Sequence, residues 1–209
     1  MSNGQKISDE EKIVCIGMFK TGTTSVGILF ERLGYNAIYD FWGVLNGGEY
    51  DEIKKTPEAI EKIQKKSQNY DAFADAPWLF MYEELEQWYP NSKFILTLRD
   101  VQDLVISEMR QYCMSNDTLK LPDASYYVDR YKSHVNLVRS YFHGREGKLL
   151  EVNIDNDDFS KKICNFLDKK HVDIMPHVNS GRDKWGRKKE LEFRKALHNK
   201  FGDKSENSS

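Results

Sequence analysis

Short apolar runs alternate along the chain with longer segments in which apolar residues recur every three or four positions. The short runs predict strands, and the periodic segments predict amphipathic helices. The predicted strands are 12–17, 36–40, 71–75, 93–99 and 148–154. The predicted helices are 23–33, 57–68, 78–88, 101–114, 124–142 and 157–170. Because parallel neighbours need crossover connections, this alternation predicts a three-layer α/β fold, with a central parallel sheet and helices on both faces.

Local signals mark where several of these helices begin and end. Gly34 follows the first helix, Thr56 and Pro57 open the second, and Asp157 opens the last. The polar ends, residues 1–11 and 202–209, are predicted to be disordered because they contain too few apolar residues to join a core. The pattern therefore predicts a single domain over residues 12–201.

Composition and charge narrow the class of protein. The chain has 209 residues, 39% of them hydrophobic, which fits one core-forming domain. Its 31 Lys and Arg residues balance 33 Asp and Glu residues for a formal charge of -2, which excludes the basic balance of a general nucleic-acid binder. No apolar run is long enough to cross a membrane, and the polar start does not resemble a secretion signal. We therefore expect a soluble, cytoplasmic protein with no membrane partner.

Three cysteines, Cys15, Cys113 and Cys164, stand at unrelated spacings. An odd number without a C-x-x-C pair does not suggest a metal or redox centre. The sequence predicts reduced structural thiols and no metal site.

The loop after the first predicted strand has the composition of an anion cradle. It carries Gly17 and Gly22, places Lys20 between them, and leads into a helix that begins with small hydroxyl residues. Amide N–H groups at a helix N-terminus, aided by the helix dipole, bind phosphate or sulfate. The candidate anion-binding residues are Lys20, Thr21, Gly22, Thr23, Thr24 and Ser25. An ordinary strand-to-helix turn with capping hydroxyls is the alternative.

The position of the lysine indicates which anion this loop suits. A nucleotide-binding P-loop places lysine directly after its second glycine, and Thr23 stands there in this chain. Residues 13–34 instead resemble the 5′-phosphosulfate loop of sulfotransferases that use 3′-phosphoadenosine 5′-phosphosulfate (PAPS). In that family a Lys or Arg precedes Thr-Gly-Thr, as Lys20 does here. The FERLGY sequence that follows is similar to the short, bacterial-like branch of the family.

A second motif strengthens the resemblance. Arg99 ends the strand KFILTL, and Ser107 follows eight residues later on the next predicted helix. In the sulfotransferase family an Arg and a Ser at this spacing bind the 3′-phosphate of PAPS, a role suited to the planar guanidinium fork. Family members often have Pro after Arg-Asp, whereas Val101 stands here. Read alone, the two residues could be a surface ion-pair partner and a helix-face residue.

Asp75 is the candidate general base. It ends the third predicted strand, at the place where many cytosolic members of the family carry a His two residues before a Pro. A free carboxylate has a pKa near about 3.9, so burial would have to make Asp75 a stronger base. Capping of the next helix and a Walker-B-like role in Mg²⁺ binding are the alternatives. His134 lies on an apolar helical stripe and is interpreted as a core residue.

A basic stretch, RDKWGRKK, runs over residues 182–189. The family often folds a late basic loop over the nucleotide, so the resemblance implies that Arg182 and Lys184 contact PAPS. The usual Arg-Lys-Gly order is absent, and a solvated helix start is the alternative. A contact with nucleic acid is a minor alternative, since the chain as a whole is not basic.

Taken together, the resemblance implies a P-loop NTPase-like fold and transfer of the sulfuryl group of PAPS to a hydroxyl or amine, with adenosine 3′,5′-bisphosphate (PAP) as product. Lys20 would stabilise the leaving phosphate oxygen during in-line attack, and Asp75 would take the acceptor proton. The acceptor is expected to be a small molecule or a carbohydrate. A small-molecule or nucleoside kinase, and a non-catalytic PAPS-binding protein, are the rival readings.

Two further expectations concern the acceptor side. Aromatic residues cluster in sequence beside the predicted site and could form a wall for a ring, although at least half are expected to be core residues. They are Tyr39, Phe41, Trp42, Trp78, Phe80 and Tyr82. The chain is short for the family, which predicts a cleft that is open or is completed by a second copy in a homodimer.

Overall fold

A five-stranded sheet forms the centre of the domain. The computed structural model describes residues 6–39, 55–156, 158–172 and 186–201. All strand pairs in the sheet are parallel, in the order β2-β3-β1-β4-β5. The strands are β1 (Ile13–Cys15), β2 (Ala37–Ile38), β3 (Ala72–Phe73), β4 (Lys93–Leu98) and β5 (Leu149–Asn153). The predicted α/β fold with a parallel sheet is confirmed, and β1 lies in its centre.

The first five helices lie between the strands, as the periodicity predicts, and the last two follow the final strand. Side-chain caps fix three of their starts: Thr56 accepts from the N–H of Ala59, Asp100 caps the fourth helix and Asp123 caps the fifth. Such caps satisfy N–H groups that have no partner within the helix. The helices are α1 (Thr23–Arg32), α2 (Pro57–Ser67), α3 (Tyr82–Trp88), α4 (Val101–Ser115), α5 (Ala124–Phe142), α6 (Phe159–Phe166) and α7 (Arg187–Phe201).

The segment predicted as one helix over 78–88 is divided in two. A 3₁₀ turn covers Trp78–Phe80, and α3 begins only at Tyr82. Met81, between them, has φ −107° and ψ 17°, outside the helical range. Trp78, Leu79 and Met81 are all fully buried. A continuous helix buries one stripe of its surface, so the break lets nearly consecutive apolar residues enter the core.

Two apolar clusters cover the two faces of the sheet. On one face, α1 and α6 pack through residues such as Phe30 and Ile163. On the other face, α2, α3, α4, α5 and α7 contribute to a larger cluster around Phe73 and Phe94. The result is the predicted three-layer arrangement. The three cysteines are free and buried, as structural thiols would be.

The chain ends of the described part also contact this core. Ile7 packs against the larger cluster, and its N–H donates to the carbonyl oxygen of Trp88 at 2.8 Å. In α7, Phe193 is fully buried and Glu190 forms an ion pair with Arg110 of α4. Helix α7 is therefore part of the domain. The domain limits proposed from the sequence stay a prediction.

Candidate active site at the carboxyl edge of the sheet

The candidate residues follow strands whose carboxyl ends meet at one edge of the sheet. The loop 16–22 follows β1, Asp75 follows β3, Arg99 follows β4 and Asp155 follows β5. Because all these strands are parallel, their carboxyl ends share an edge, which is where open α/β sheets bind ligands. The fold thus brings the two sequence motifs and the candidate base to the same side of the domain.

The loop after β1 leaves a row of amide donors at the start of α1. The first bond of this helix runs from the N–H of Val26 to the carbonyl oxygen of Gly22 at 3.0 Å. Gly22 caps the helix without a side-chain bond, so no described group caps the N–H groups that precede Val26 in the first turn. These are the N–H groups of Thr23, Thr24 and Ser25. Both Lys20 (φ 64°) and Gly22 (φ 80°) take up the left-handed conformation that turns the chain into α1.

Thr21 supports this loop from within. Its side chain is fully buried, and its hydroxyl donates to the carbonyl oxygen of Met18 at 2.5 Å and pairs with the hydroxyl of Thr97 at 2.6 Å. Gly17 lies directly beneath this pair, since a Cβ atom there would come within 1.7 Å of Thr97 Oγ1. The hydroxyl of Thr21 is thus engaged in shaping the cradle, and Gly17 leaves room for that contact.

Arg99 is held in place by groups from three elements. Its Nη1 donates to the carbonyl oxygen of Lys20 at 3.0 Å. The hydroxyl of Tyr131 on α5 accepts from the N–H of Arg99 and donates to its carbonyl oxygen, both at 3.2 Å. Asp155 lies 3.8 Å from Nε and also accepts the N–H of Asp100 at 2.9 Å. These contacts fix the guanidinium against the loop of Lys20.

One donor of Arg99 has no hydrogen-bond acceptor. The Nε atom is buried and has no hydrogen-bond partner among the described residues. A buried donor without an acceptor is costly, and a phosphate oxygen would satisfy it. Ser107 lies two turns along α4 and is half-buried, and its hydroxyl makes no hydrogen bond to a described residue. The residues present therefore fit an anionic group beside Arg99 and a second one at the start of α1.

The ammonium group of Lys20 lies against α4. Nζ donates to Oε1 of Gln111 at 3.1 Å, and Nε2 of the same amide donates to Oγ of Ser115 at 3.0 Å. Gln111 stands four residues after Ser107, so the two side chains lie on one face of the helix. This contact gathers Lys20, Arg99 and Ser107 into one region.

Asp75 is half-buried at the end of β3. Its Oδ1 accepts from the N–H of Ala76 at 2.9 Å, and its φ of 64° places it in the left-handed region. The 3₁₀ turn Trp78–Phe80 follows, with Pro77 at its N-cap position, and the carbonyl oxygen of Asp75 accepts from the N–H of Leu79 at 3.2 Å. The capping role considered for Asp75 therefore stays an alternative.

His134 is a core residue, as its apolar stripe predicts. It is buried, and its Nε2 lies 2.7 Å from the carbonyl oxygen of Ile16. Since a carbonyl oxygen only accepts, Nε2 carries the proton. Burial lowers the pKa of His134 below its ordinary value, because the charged imidazolium is poorly solvated there. The neutral ring thus ties α5 to the end of β1.

The aromatic residues divide between core and site. Trp78 packs on Phe73 with ring centroids 4.5 Å apart, and Tyr82 packs on Phe142, so Trp78 and Tyr82 belong to the core. Phe80 is half-buried and meets Phe19 edge to face at 5.9 Å. Among the described members of this set, Phe80 is the one that contacts the loop of Lys20. Tyr39 lies over α1, where a Cβ on Gly27 would touch its ring, and Phe41 and Trp42 lie outside the described residues.

The basic stretch is only partly described. Arg182 and Lys184 lie outside the described residues, so their proposed contact with PAPS stays a prediction. Lys189, at the start of α7, forms an ion pair with Asp117. This end of the basic stretch is therefore the first turn of a helix, and Lys189 in that turn is already engaged in an ion pair.

Sequence reasoning missed three residues of the site. Asp155 directly follows the last predicted strand, so the rule that directs attention to strand ends could have found it. Tyr131 and Gln111 lie in the middle of long helices. No local signal separates them from surface residues, because their roles depend on which loops approach those helices.

The described ranges contain neither a metal-binding cluster nor a membrane-spanning helix. No group of three or more His, Cys, Asp or Glu side chains there could hold a metal ion. The helices of that part of the chain are all too short or too polar to cross a membrane.

Sequence comparisons match the chain to a family and to one relative. A family model described as a sulfotransferase domain matches residues 12–119. The Ava biosynthesis cluster protein M of Aspergillus versicolor is 28% identical over 102 residues, which cover 44% of this chain and 39% of the fungal protein. The match therefore spans well under two thirds of that relative.

Two solved structures align with the chain, and the first of them shows a likeness in fold. The sulfotransferase domain of the Synechococcus PCC 7002 olefin synthase aligns with a TM-score of 0.50 and 14% identity, over 90% of this chain and 84% of that one. The crystal structure of mouse sulfotransferase SULT7A1 complexed with PAP aligns with a TM-score of 0.49 and 14% identity, over 98% and 70%.

Proposed function

Because the chain belongs to the sulfotransferase domain family, we propose that it transfers the sulfuryl group of PAPS to a hydroxyl or amine of a small molecule or carbohydrate. When bound, PAPS supplies the activated sulfuryl group, and PAP is the product. The free thiols in the core fit the reducing conditions of the cytoplasm, where we place the reaction.

The bond between Arg99 and the loop of Lys20 carries this proposal. It joins two anion-binding features: the uncapped N–H groups at the start of α1 with the Lys20 ammonium, and the buried, unsatisfied Nε of Arg99. A ligand that uses both must carry two separate anionic groups. PAPS does so, with a phosphosulfate at the 5′ position and a phosphate at the 3′ position.

In this proposal, different side chains bind the two anionic groups of PAPS. Lys20 and the N–H groups of Thr23, Thr24 and Ser25 would hold the 5′ group, and Lys20 would offset negative charge that builds on the leaving phosphate oxygen. Arg99 and Ser107 would hold the 3′-phosphate by charge-assisted and hydroxyl hydrogen bonds. Positively charged and dipolar groups fixed before binding need no reorganisation during the reaction.

Asp75 is the proposed general base. It lies at the same edge of the sheet as Lys20, and its carboxylate would take the proton of the acceptor hydroxyl or amine as the acceptor attacks. Phe80, half-buried beside Phe19, offers an apolar surface for the acceptor next to that loop. A second copy of the chain as the other wall of the cleft stays a prediction.

Calorimetric titration tests the proposal. PAP and, in parallel, ATP with Mg²⁺ are titrated into the wild type, Arg99→Ala and the control Arg139→Ala, whose guanidinium pairs with Glu151 on the surface. We expect PAP to bind, Arg99→Ala to weaken binding about 10- to 100-fold, and Arg139→Ala to leave it unchanged.

The other outcomes favour the rival functions. Preference for ATP–Mg²⁺, or no effect of Arg99→Ala, would favour a kinase, although Thr23 stands where a kinase P-loop needs its lysine. Binding of PAP without transfer from PAPS to a broad panel of alcohols, phenols, sugars and amines would indicate a non-catalytic binding protein.

A further inference from the structure

The contact between Lys20 and Gln111 joins the anion loop to the middle of α4. It links residues 91 positions apart in sequence, and both side chains are partly buried. Lysine only donates, so the oxygen of the Gln111 amide must face Nζ, which leaves the amide nitrogen to donate to Ser115. The two hydrogen bonds therefore fix the orientation of the Gln111 side chain.

The side chain of Gln111 is uncharged, and this affects the charge of the Lys20 ammonium group. An amide oxygen accepts a hydrogen bond from the ammonium group and leaves its positive charge intact. A carboxylate at the same place would also hold Lys20, but it would neutralise the charge that an anionic ligand needs. Lysine has a long, flexible side chain. Because the hydrogen bond orders this side chain before a ligand arrives, less conformational entropy is lost on binding.

We propose that Gln111 is a positioning residue for Lys20, and that its amide holds the ammonium group at the cradle, one helical turn from Ser107. This role rests on the proposed sulfotransferase function. Gln111 itself contacts neither the transferred group nor the acceptor. It acts through Lys20, and its contribution is to the rate of transfer more than to the affinity for the nucleotide.

The test replaces Gln111 by methionine, which keeps the length of the side chain and removes both hydrogen bonds. Gln102→Met is the matched control, because Gln102 is an exposed glutamine in the first turn of the same helix. The rate of PAPS hydrolysis to PAP and sulfate, with water as acceptor, needs no known substrate. We expect Gln111→Met to slow it about 5- to 10-fold with less than about 2-fold change in PAP affinity, and Gln102→Met to change neither.

A double-variant cycle separates positioning from a general structural effect. If Gln111 acts through Lys20, then Lys20→Met combined with Gln111→Met is no slower than Lys20→Met alone. Losses that multiply in the double variant would overturn the proposal. Equal urea-unfolding curves for wild type and Gln111→Met confirm that the substitution leaves the fold intact.

Chemical labelling of the Lys20 amine gives a readout that does not depend on turnover. Acetylation by acetic anhydride, followed by mass spectrometry, should be faster in Gln111→Met than in the wild type. Equal rates in both proteins would contradict the positioning role. Protection of Lys20 from acetylation by PAP tests the proposed function separately. If PAP does not protect Lys20 in the wild type, the proposed function is contradicted. The comparison of labelling rates without PAP would still test the role of Gln111.

Discussion

The guanidinium of Arg99 donates from Nη1 to the backbone carbonyl oxygen of Lys20 at 3.0 Å, across 79 residues of sequence. Arg99 is itself held by the Tyr131 hydroxyl through both its N–H and its carbonyl group. The two candidate anion-binding motifs are therefore one connected structure. A change at Arg99 should reach the loop of Lys20 even when no ligand touches Arg99.

This connection predicts the response to a ligand without a 3′-phosphate. Adenosine 5′-monophosphate has a group for the cradle but no 3′-phosphate for Arg99. If Arg99 acted only by contacting the 3′-phosphate, Arg99→Ala would leave the affinity for this nucleotide unchanged. Because Arg99 also holds the Lys20 carbonyl, we expect Arg99→Ala to weaken binding of this nucleotide about 3- to 10-fold, the effect of one hydrogen bond. Competition titration measures it.

Ser107→Ala is the control for that measurement. The Ser107 hydroxyl has no hydrogen bond to the loop. Its removal should therefore weaken the binding of PAP and leave the binding of adenosine 5′-monophosphate unchanged. Equal affinity of wild type and Arg99→Ala for the monophosphate would mean that the bond to Lys20 does not organise the cradle.

Asp75→Asn tests the proposed base. Asparagine tolerates the left-handed conformation of Asp75, so the backbone should be preserved. We expect the rate of transfer to an acceptor to fall about 100-fold or more, because the amide cannot take a proton, while PAP affinity stays as in the wild type. The rate of PAP formation at saturating PAPS and acceptor is the measurement.

Asp71→Asn, at the opposite end of β3, is a matched change away from the site and should keep full activity. Turnover by Asp75→Asn at the wild-type rate would remove Asp75 from the mechanism.

His134 predicts a pH dependence of stability. Burial lowers its pKa below the ordinary 6.5, so the folded protein resists protonation while the unfolded chain binds a proton as the pH falls. The stabilisation is present above about pH 6.5 and is lost as the pH falls below it, by up to about 1.4 kcal/mol per pH unit. Urea unfolding between about pH 7.5 and about pH 5.5 measures this slope.

Two variants identify the source of the slope. His134→Gln removes the titrating group and should flatten that part of the curve, whereas His143→Gln changes an exposed histidine and should leave the slope in place. A slope that persists undiminished in His134→Gln would assign it to other groups.

The ion pair between Arg110 and Glu190 predicts how firmly α7 is attached. Its two hydrogen bonds measure 3.0 and 3.4 Å, and each side chain is only 10% exposed. Glu190→Gln leaves a buried guanidinium uncompensated, so we expect a loss of about 3 kcal/mol in the free energy of unfolding, measured in urea. Replacing both residues by methionine should recover most of that loss, because an apolar pair needs no charge compensation.

The exposed pair between Arg139 and Glu151 serves as a comparison. Its side chains are 49% and 34% exposed, so Glu151→Gln should cost less than about 1 kcal/mol. A similar cost at both places would show that the pair to Glu190 is as solvated as a surface pair.

Much of the fold could be predicted from local patterns. All five strands and the helices α1 to α6 follow from apolar periodicity, and α5 has the predicted bounds, Ala124–Phe142. Helix α7 (Arg187–Phe201) was not among the predicted helices. The prediction failed at Met81, where the helix breaks, because burial of Trp78, Leu79 and Met81 against the sheet outweighs helical continuity. Local propensity does not contain that information, since it depends on what the segment packs against.

The sequence by itself determined the alternating fold and the loop after β1, with the glycine, lysine and hydroxyl residues that an anion site needs. Those features depend on neighbours a few positions apart, which the periodicity of strands and helices records directly. Only the tertiary structure decided that Arg99 holds the carbonyl of Lys20, that Gln111 holds its ammonium group, and that Thr21 turns inward to Thr97. These contacts join residues 76 to 91 positions apart. They exist because β1 lies beside β4 in a parallel sheet, which places the loops after both strands at one edge.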